Sequence, residues 1–154
     1  MVLIEMALQR ALSAYMGKVD KAGMPYILHP LRLMARFTDP FEQAVSLLHD
    51  VIEDSDTTAE DLLNEGFPDI VVEVVVILSR RRGESYEDFI ERICVHPLAR
   101  KIKLADIEDN LNVLRLASLG ESDLRRVSKY HQAWKGSCRD KGKIHSLPSY
   151  PHVL

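Results

Sequence analysis

The sequence predicts an all-α domain, and three observations carry that expectation. Apolar residues recur at helical spacing along nearly the whole chain. Start signals such as Asp39-Pro40-Phe41-Glu42 and Ser85-Tyr86-Glu87-Asp88 stand ahead of several of these stretches. The valine-rich stretch at 69–79, the best candidate for a strand, lacks strict alternation of apolar and polar residues.

The elements follow in order. Residues 2–16 place Leu3, Met6, Ala7, Leu8, Ala11, Leu12 and Tyr15 on one broad face, and Gly17 ends the helix. Residues 18–29 contain Gly23 and Pro25 and read as a loop. Pro30 opens a short helix to Phe37, where its fixed φ suits a first turn. Asp39 caps the next helix, with Pro40 in its first position and Glu42 completing a capping box; this helix should run to about Ile52. Thr57-Thr58-Ala59-Glu60 is a second box, for a helix that stops at Gly66. Residues 69–79 follow as a buried helix on Ile70, Val71, Val74, Val75 and Leu78. Ser85 caps a helix to about Val95. Pro97 starts the longest one, to about Ser118, with Ile102, Ala105, Leu111, Leu114 and Ala117 inward. Residues 122–134 form the last. The expected architecture is one compact domain of about eight helices over 1–135, followed by an irregular tail at 136–154.

Composition narrows the function. The chain has 154 residues, a net charge of −3 and 46% hydrophobic residues, which fits one folded domain and argues against disorder. No basic excess points to nucleic acid. The longest apolar stretch, residues 70–78, contains Glu73 and is too short to span a membrane. The first ten residues lack the basic start of a signal peptide, so the expected compartment is the cytoplasm. Cys94 and Cys138 are too few for a cysteine-based zinc finger; Cys94 reads as a small buried hydrophobe, with a bridge to Cys138 as the other option.

Leu47-Leu48-His49-Asp50-Val51-Ile52-Glu53-Asp54 is the most informative segment. On a helix its four ionisable side chains fall within an arc of roughly 140°. Carboxylates crowded there repel one another and resist desolvation, and a divalent cation would offset both penalties. The simpler alternative is a solvent-facing stripe. Three other places bear on the choice: Gly23-Met24-Pro25-Tyr26-Ile27-Leu28-His29-Pro30, Lys103-Leu104-Ala105-Asp106 with Asn110 four residues on, and Tyr130.

G-x-P-Y-x-x-H-P, then L-L-H-D-x-x-E-D, then K-L-A-D-x-x-x-N resembles the HD-type hydrolase domain of the RelA/SpoT alarmone enzymes, most closely the stand-alone small alarmone hydrolases. The resemblance spans residues 3–134. It implies the compact helical HD-domain fold and a single bound Mn²⁺ held by His29, His49, Asp50 and Asp106. It implies that Glu53 and Asp54 orient and deprotonate the attacking water, and that Lys21, Asn110 and Tyr130 contact substrate. The implied reaction removes the 3′-pyrophosphate of (p)ppGpp-like nucleotides, releasing GDP or GTP and pyrophosphate. The family's synthetase domain has no room in this length. The implied partner is a small-molecule nucleotide, and the oligomeric state is open.

The chain departs from the family at position 20. The family commonly carries an arginine there that stacks on the purine, and here Asp20 stands in its place. Asp20 reads either as a helix cap or as an acceptor for the N1–H and N2–H₂ edge of guanine. The purine preference is therefore open, and adenosine analogues, the ribose phosphate of NADPH and nucleoside monophosphates stay alongside ppGpp as substrates. A non-catalytic nucleotide sensor is the alternative from a different class; it would have no use for Glu53 and Asp54. Among the remaining histidines, His96 reads as a cap and His131 as a surface residue.

Overall fold

A computed structural model describes residues 2–136; the tail and the pairing of Cys138 lie outside them. The described residues form α1 (Leu3–Tyr15), α2 (Leu28–Met34), α3 (Pro40–Leu48), α4 (Val51–Asp54), α5 (Ala59–Asn64), α6 (Asp69–Leu78), α7 (Tyr86–Cys94), α8 (Pro97–Leu111), a 3₁₀ turn (Val113–Arg115) and α9 (Glu121–Gly136). No strand occurs among them, as the helical periodicity predicts. None of these helices is long and apolar enough to cross a membrane.

The centre is α3. Its residues 44–48 are all buried, and α1, α2, α6 and α8 pack around it. In α1 the fully buried residues are Ala7, Ala11 and Tyr15, the two alanines letting α1 approach α3 closely; Leu3, Met6 and Leu8 pack around them, while Leu12 is half exposed. The valine-rich α6 buries Val71, Val72, Val74, Val75 and Leu78 and turns Ile70 outward. Its buried residues keep to one face, as helical spacing requires, and the run of β-branched valines is what made a strand conceivable.

Caps agree with the sequence in type and differ in detail. Asp39 accepts from the Phe41 and Glu42 N–H groups, but the Glu42 carboxylate pairs with Lys101 instead of closing the box. The second box is shifted by one residue: Thr58 accepts from the Asp61 N–H, and Asp61 accepts from the Thr58 N–H. Ser85 caps α7 through the Asp88 N–H, and His96 caps α8 through the Ala99 N–H.

Three departures shape the cavity described below. Helix α2 begins at Leu28, two residues earlier than Pro30, so His29 lies in its first turn and is buried rather than placed on a loop. The helix expected at 40–52 is broken between Leu48 and Val51. The Ser46 carbonyl, which a continuing helix would offer to the Asp50 N–H, is taken by His49 Nδ1 at 2.8 Å, a side chain competing with the backbone ladder. Finally, α8 stops at Leu111, short of the expected Ser118. Leu114 is 92% exposed and Ala117 is also outside, so neither points inward. The turn that replaces the last helical residues swings Arg115 back toward the cavity.

Candidate active site

A cavity of about 560 Å³ opens where α2, the α3–α4 break, α8 and α9 meet, within the usual size of a small-molecule site. Its floor is built from four side chains. His29 Nε2 and His49 Nε2 face each other at 3.3 Å. Asp50 Oδ2 lies 3.0 Å from His49 Nε2. Asp106 Oδ1 lies 3.1 Å from His29 Nε2 and 3.8 Å from His49 Nε2. His29, His49 and Asp50 bring ligand atoms within 4.8 Å of one another, and Asp106 stands beside both imidazoles.

The tautomers follow from the second ring nitrogens. His29 Nδ1–H donates to Asp109 Oδ2 at 2.7 Å, and His49 Nδ1–H donates to the Ser46 carbonyl. A neutral imidazole so held presents a lone pair at Nε2. Two lone pairs facing each other at 3.3 Å, flanked by two carboxylates, repel unless a proton or a cation lies between them. This arrangement fits a metal: two imidazoles and two carboxylates, with outer hydrogen bonds that fix both rings. In the protein alone, protons answer the same demand. Burial would lower the His29 pKa, but the Asp106 and Asp109 carboxylates outweigh it and raise it to about 9. His49 is raised as well, burial being overcome by Asp50. Asp50 is held down to about 2, since the His49 charge outweighs its burial. Asp106 lies well below the carboxylate range because Lys103 and both imidazoles outweigh burial.

Glu53 and Asp54 sit on α4 at the edge of this floor and line the cavity. Burial, joined by the Asp50 charge, pushes both carboxyls up. The Arg80 N–H donates to Glu53 and fixes it. Across the cavity stand Arg80, Arg126 and Lys129. Burial and then the charges of Arg80, Lys103 and Arg126 pull the Lys129 pKa down. The cavity thus sets the carboxylates of Asp50, Asp106, Glu53 and Asp54 on and beside its floor and the cations of Arg80 and Lys129 on its wall, an arrangement suited to a cation and an anion together.

The other expected site residues also line it. Lys21 is exposed at the rim. Asn110 Nδ2 donates to Asp106 Oδ1 at 2.7 Å and to the Asp106 carbonyl at 3.0 Å, so it orients Asp106. Tyr130 packs against Tyr86, with the Lys129 ammonium over both rings. His131 lies on the exposed face of α9 and does not line the cavity. Asp20 caps no helix. Its Oδ1 accepts from the Ala22 and Met24 N–H groups, closing the loop that the Val19–Pro25 bridge pins, with Gly23 at φ +77°.

No family model matches the chain. Over 134 residues it is 36% identical to the guanosine-3′,5′-bis(diphosphate) 3′-pyrophosphohydrolase of Vibrio cholerae, covering 77% of this chain and 19% of that one. It is 32% identical over 124 residues to the guanosine-3′,5′-bis(diphosphate) 3′-pyrophosphohydrolase MESH1 of Danio rerio, covering 73% of this chain and 68% of that protein. The chain belongs to the guanosine-3′,5′-bis(diphosphate) 3′-pyrophosphohydrolase family. It spans about a fifth or less of the bacterial members' length. A solved structure described as a metazoan ortholog of SpoT that hydrolyses ppGpp superposes with a TM-score of 0.70 over 90% of this chain and 89% of that one, at 24% identity, so the two share the fold.

Several residues in and around this pyrophosphohydrolase-family cavity carried no expected role, Arg80, Lys129 and Tyr86 on its wall among them. Tyr26 and Lys103 lie inside the quoted motifs, and that was the available signal. The Tyr26 hydroxyl donates to Asp50 Oδ2 at 2.5 Å, and Lys103 Nζ donates to Asp106 Oδ2 at 2.7 Å. Asp109 and Arg115 had no signal in spacing. Asp109 accepts two bonds from Arg32 and one from His29, and Arg115 bridges Asp20 and Asp109.

Proposed function

We propose that the chain is a metal-dependent phosphohydrolase that removes the 3′-pyrophosphate of (p)ppGpp-like nucleotides. The observation that carries the reading is the cluster of His29, His49 and Asp50, with Asp106 beside both imidazoles, beneath a cationic wall. Mn²⁺ is the cofactor this reading assigns to that donor set. When bound, it supplies Lewis acidity toward a phosphoryl oxygen and toward water.

The chain's own residues divide the remaining work. Glu53 and Asp54 stand beside the metal-binding floor, and burial raises both carboxyls above their ordinary values, which makes them better bases to orient a water and take its proton. Arg80, Lys103 and Lys129 counter the charge of the pyrophosphate, and Tyr130 with Tyr86 forms an apolar flank beside them. Lys21 at the rim screens charge on the phosphoryl oxygens, and Asn110 acts on substrate through the orientation of Asp106. Water adds to the phosphorus joined to the ribose 3′ oxygen, and the bond to that oxygen breaks. The 3′ oxygen leaves protonated, giving GDP or GTP and pyrophosphate.

The test is incubation of the full chain with Mn²⁺ and ppGpp, scored for GDP and pyrophosphate. Turnover that is abolished by Asp50→Ala supports the reading. No turnover by the unaltered chain with Mn²⁺ or other divalent ions overturns it, and release of inorganic phosphate from a nucleoside monophosphate reassigns the substrate.

A further inference from the structure

We propose that Arg115 receives the base of the nucleotide by stacking its guanidinium plane on the ring, and that Asp20 is the holder of Arg115 and not a reader of base edges. This rests on the nucleotide reading of the cavity given above. Arg115 Nη1 donates to Asp20 Oδ2 at 3.1 Å, and Nη2 donates to the Asp109 carbonyl at 3.0 Å, with Asp109 Oδ2 at 3.4 Å. All of these lie along the edge of the guanidinium. Hydrogen bonds use the plane of this group and leave its two faces for stacking. Among the described residues no aromatic ring covers it, yet the side chain is 29% exposed and lines the cavity.

Charge separates a base from a phosphate as the occupant. On the wall Arg126 pairs with Asp123 at 3.0 Å, while Arg80 and Lys129 form no salt bridge among the described residues. Arg115 pairs with Asp20 and shares Asp109 with Arg32 and His29, so it has less to offer an anion than the two unpaired cations of the wall. Val19 and Leu116 line the cavity as well and supply the apolar surface a base face requires. The Arg115 Nε is buried without a hydrogen-bond partner among the described residues, a cost that a purely structural arginine would not carry.

Asp20 is committed elsewhere. Its Oδ1 accepts two loop N–H groups, its Oδ2 takes Arg115, and its side chain is only 11% exposed. Little of it remains for the N1–H and N2–H₂ edge of guanine. Stacking works on any base face, so guanine and adenine nucleotides should be handled alike.

The experiment measures binding of ppGpp, its adenine counterpart and base-free pyrophosphate by calorimetry, together with Mn²⁺-dependent kinetics, on the full chain. Arg115→Ala should weaken nucleotide binding about 10- to 100-fold and raise KM in parallel, with kcat and pyrophosphate affinity within about threefold. Arg115→Lys keeps the charge without the plane and should not rescue. Asp20→Asn, the milder change, should weaken both nucleotides equally. Equal loss for pyrophosphate, rescue by lysine, an unmoved nucleotide affinity, or an altered guanine-to-adenine ratio in Asp20→Asn each overturns the proposal. If the unaltered chain binds nucleotide but hydrolyses none, the hydrolase reading fails while the Arg115 comparison still stands or falls on binding alone.

Discussion

Asp109 shows how one side chain sets the behaviour of its neighbours. It accepts from His29 Nδ1 and takes a two-pronged contact from Arg32, so the His29 ring has one orientation and one tautomer. The Asp109 carboxyl is held far below its usual range, since His29 and Arg32 outweigh its burial. Asp109→Asn keeps the shape and removes the charge that makes His29 a strong donor. It should weaken Mn²⁺ binding roughly 10- to 100-fold, read by calorimetry, and unchanged affinity would remove Asp109 from the site. Lys103 is the complementary case, a nearly buried ammonium kept charged because Asp106 and Asp50 outweigh its burial. Lys103→Met leaves Asp106 without its cation and should cost about 3 kcal/mol in metal-free denaturation, with Mn²⁺ recovering part of the loss. The four floor residues were legible in the sequence because they stand inside short motifs with recognisable neighbours. Asp109 and Arg115 were not, because their roles depend on where α8 ends, and nothing local in Asn112-Val113-Leu114 marks that end.

At the level of elements, the departures from helical periodicity are where the cavity is made. Seven of the eight expected helices appear as helices in their places; the one at 40–52 divides into α3 and α4. Its apolar spacing runs straight through the break, and the competing bond from His49 to Ser46 is invisible to periodicity. The break turns Asp50 toward His49 and Tyr26 while leaving Glu53 and Asp54 at the cavity edge. A different contact ties α6 to α7. Arg92 donates to the Ile77 and Ser79 carbonyls at the end of α6 and pairs with Glu84 ahead of α7. That pair holds the Glu84 pKa at about 2, below its ordinary 4.5. A carboxyl depressed on folding stabilises the fold fully above its unfolded value and loses that contribution as pH falls through the folded one. Glu84→Gln should therefore be less stable than the unaltered chain near neutral pH, with the gap closing between about pH 4.5 and 2. Urea denaturation at about pH 6 and pH 3 checks this, and a gap that does not narrow would place the contact's value in packing and not in charge.

Across the whole molecule, the cavity floor is also a junction. Its donors come from α2, the α3–α4 break and α8, segments far apart in sequence that meet around the buried α3. The fold brings two facing imidazoles and two buried carboxylates together before any ion arrives, with protons in the place a cation would take. An ion that binds only when these three segments are in place stabilises the folded state by mass action, about 2.7 kcal/mol at a hundredfold excess over its Kd. For a domain of this size that corresponds to a rise in Tm of roughly 5–10 °C on adding Mn²⁺, reversed by a chelator. Asp106→Asn should remove most of the rise, because it deletes the donor charge that α8 contributes. It should also lower the metal-free Tm, since Lys103 loses its partner. The surface pair Arg125–Glu121 provides the comparison: Glu121→Gln should leave the Mn²⁺-induced rise intact. A Tm that ignores Mn²⁺, or that rises equally in Asp106→Asn, would mean the four side chains do not act as one site, and the hydrolase reading would go with them.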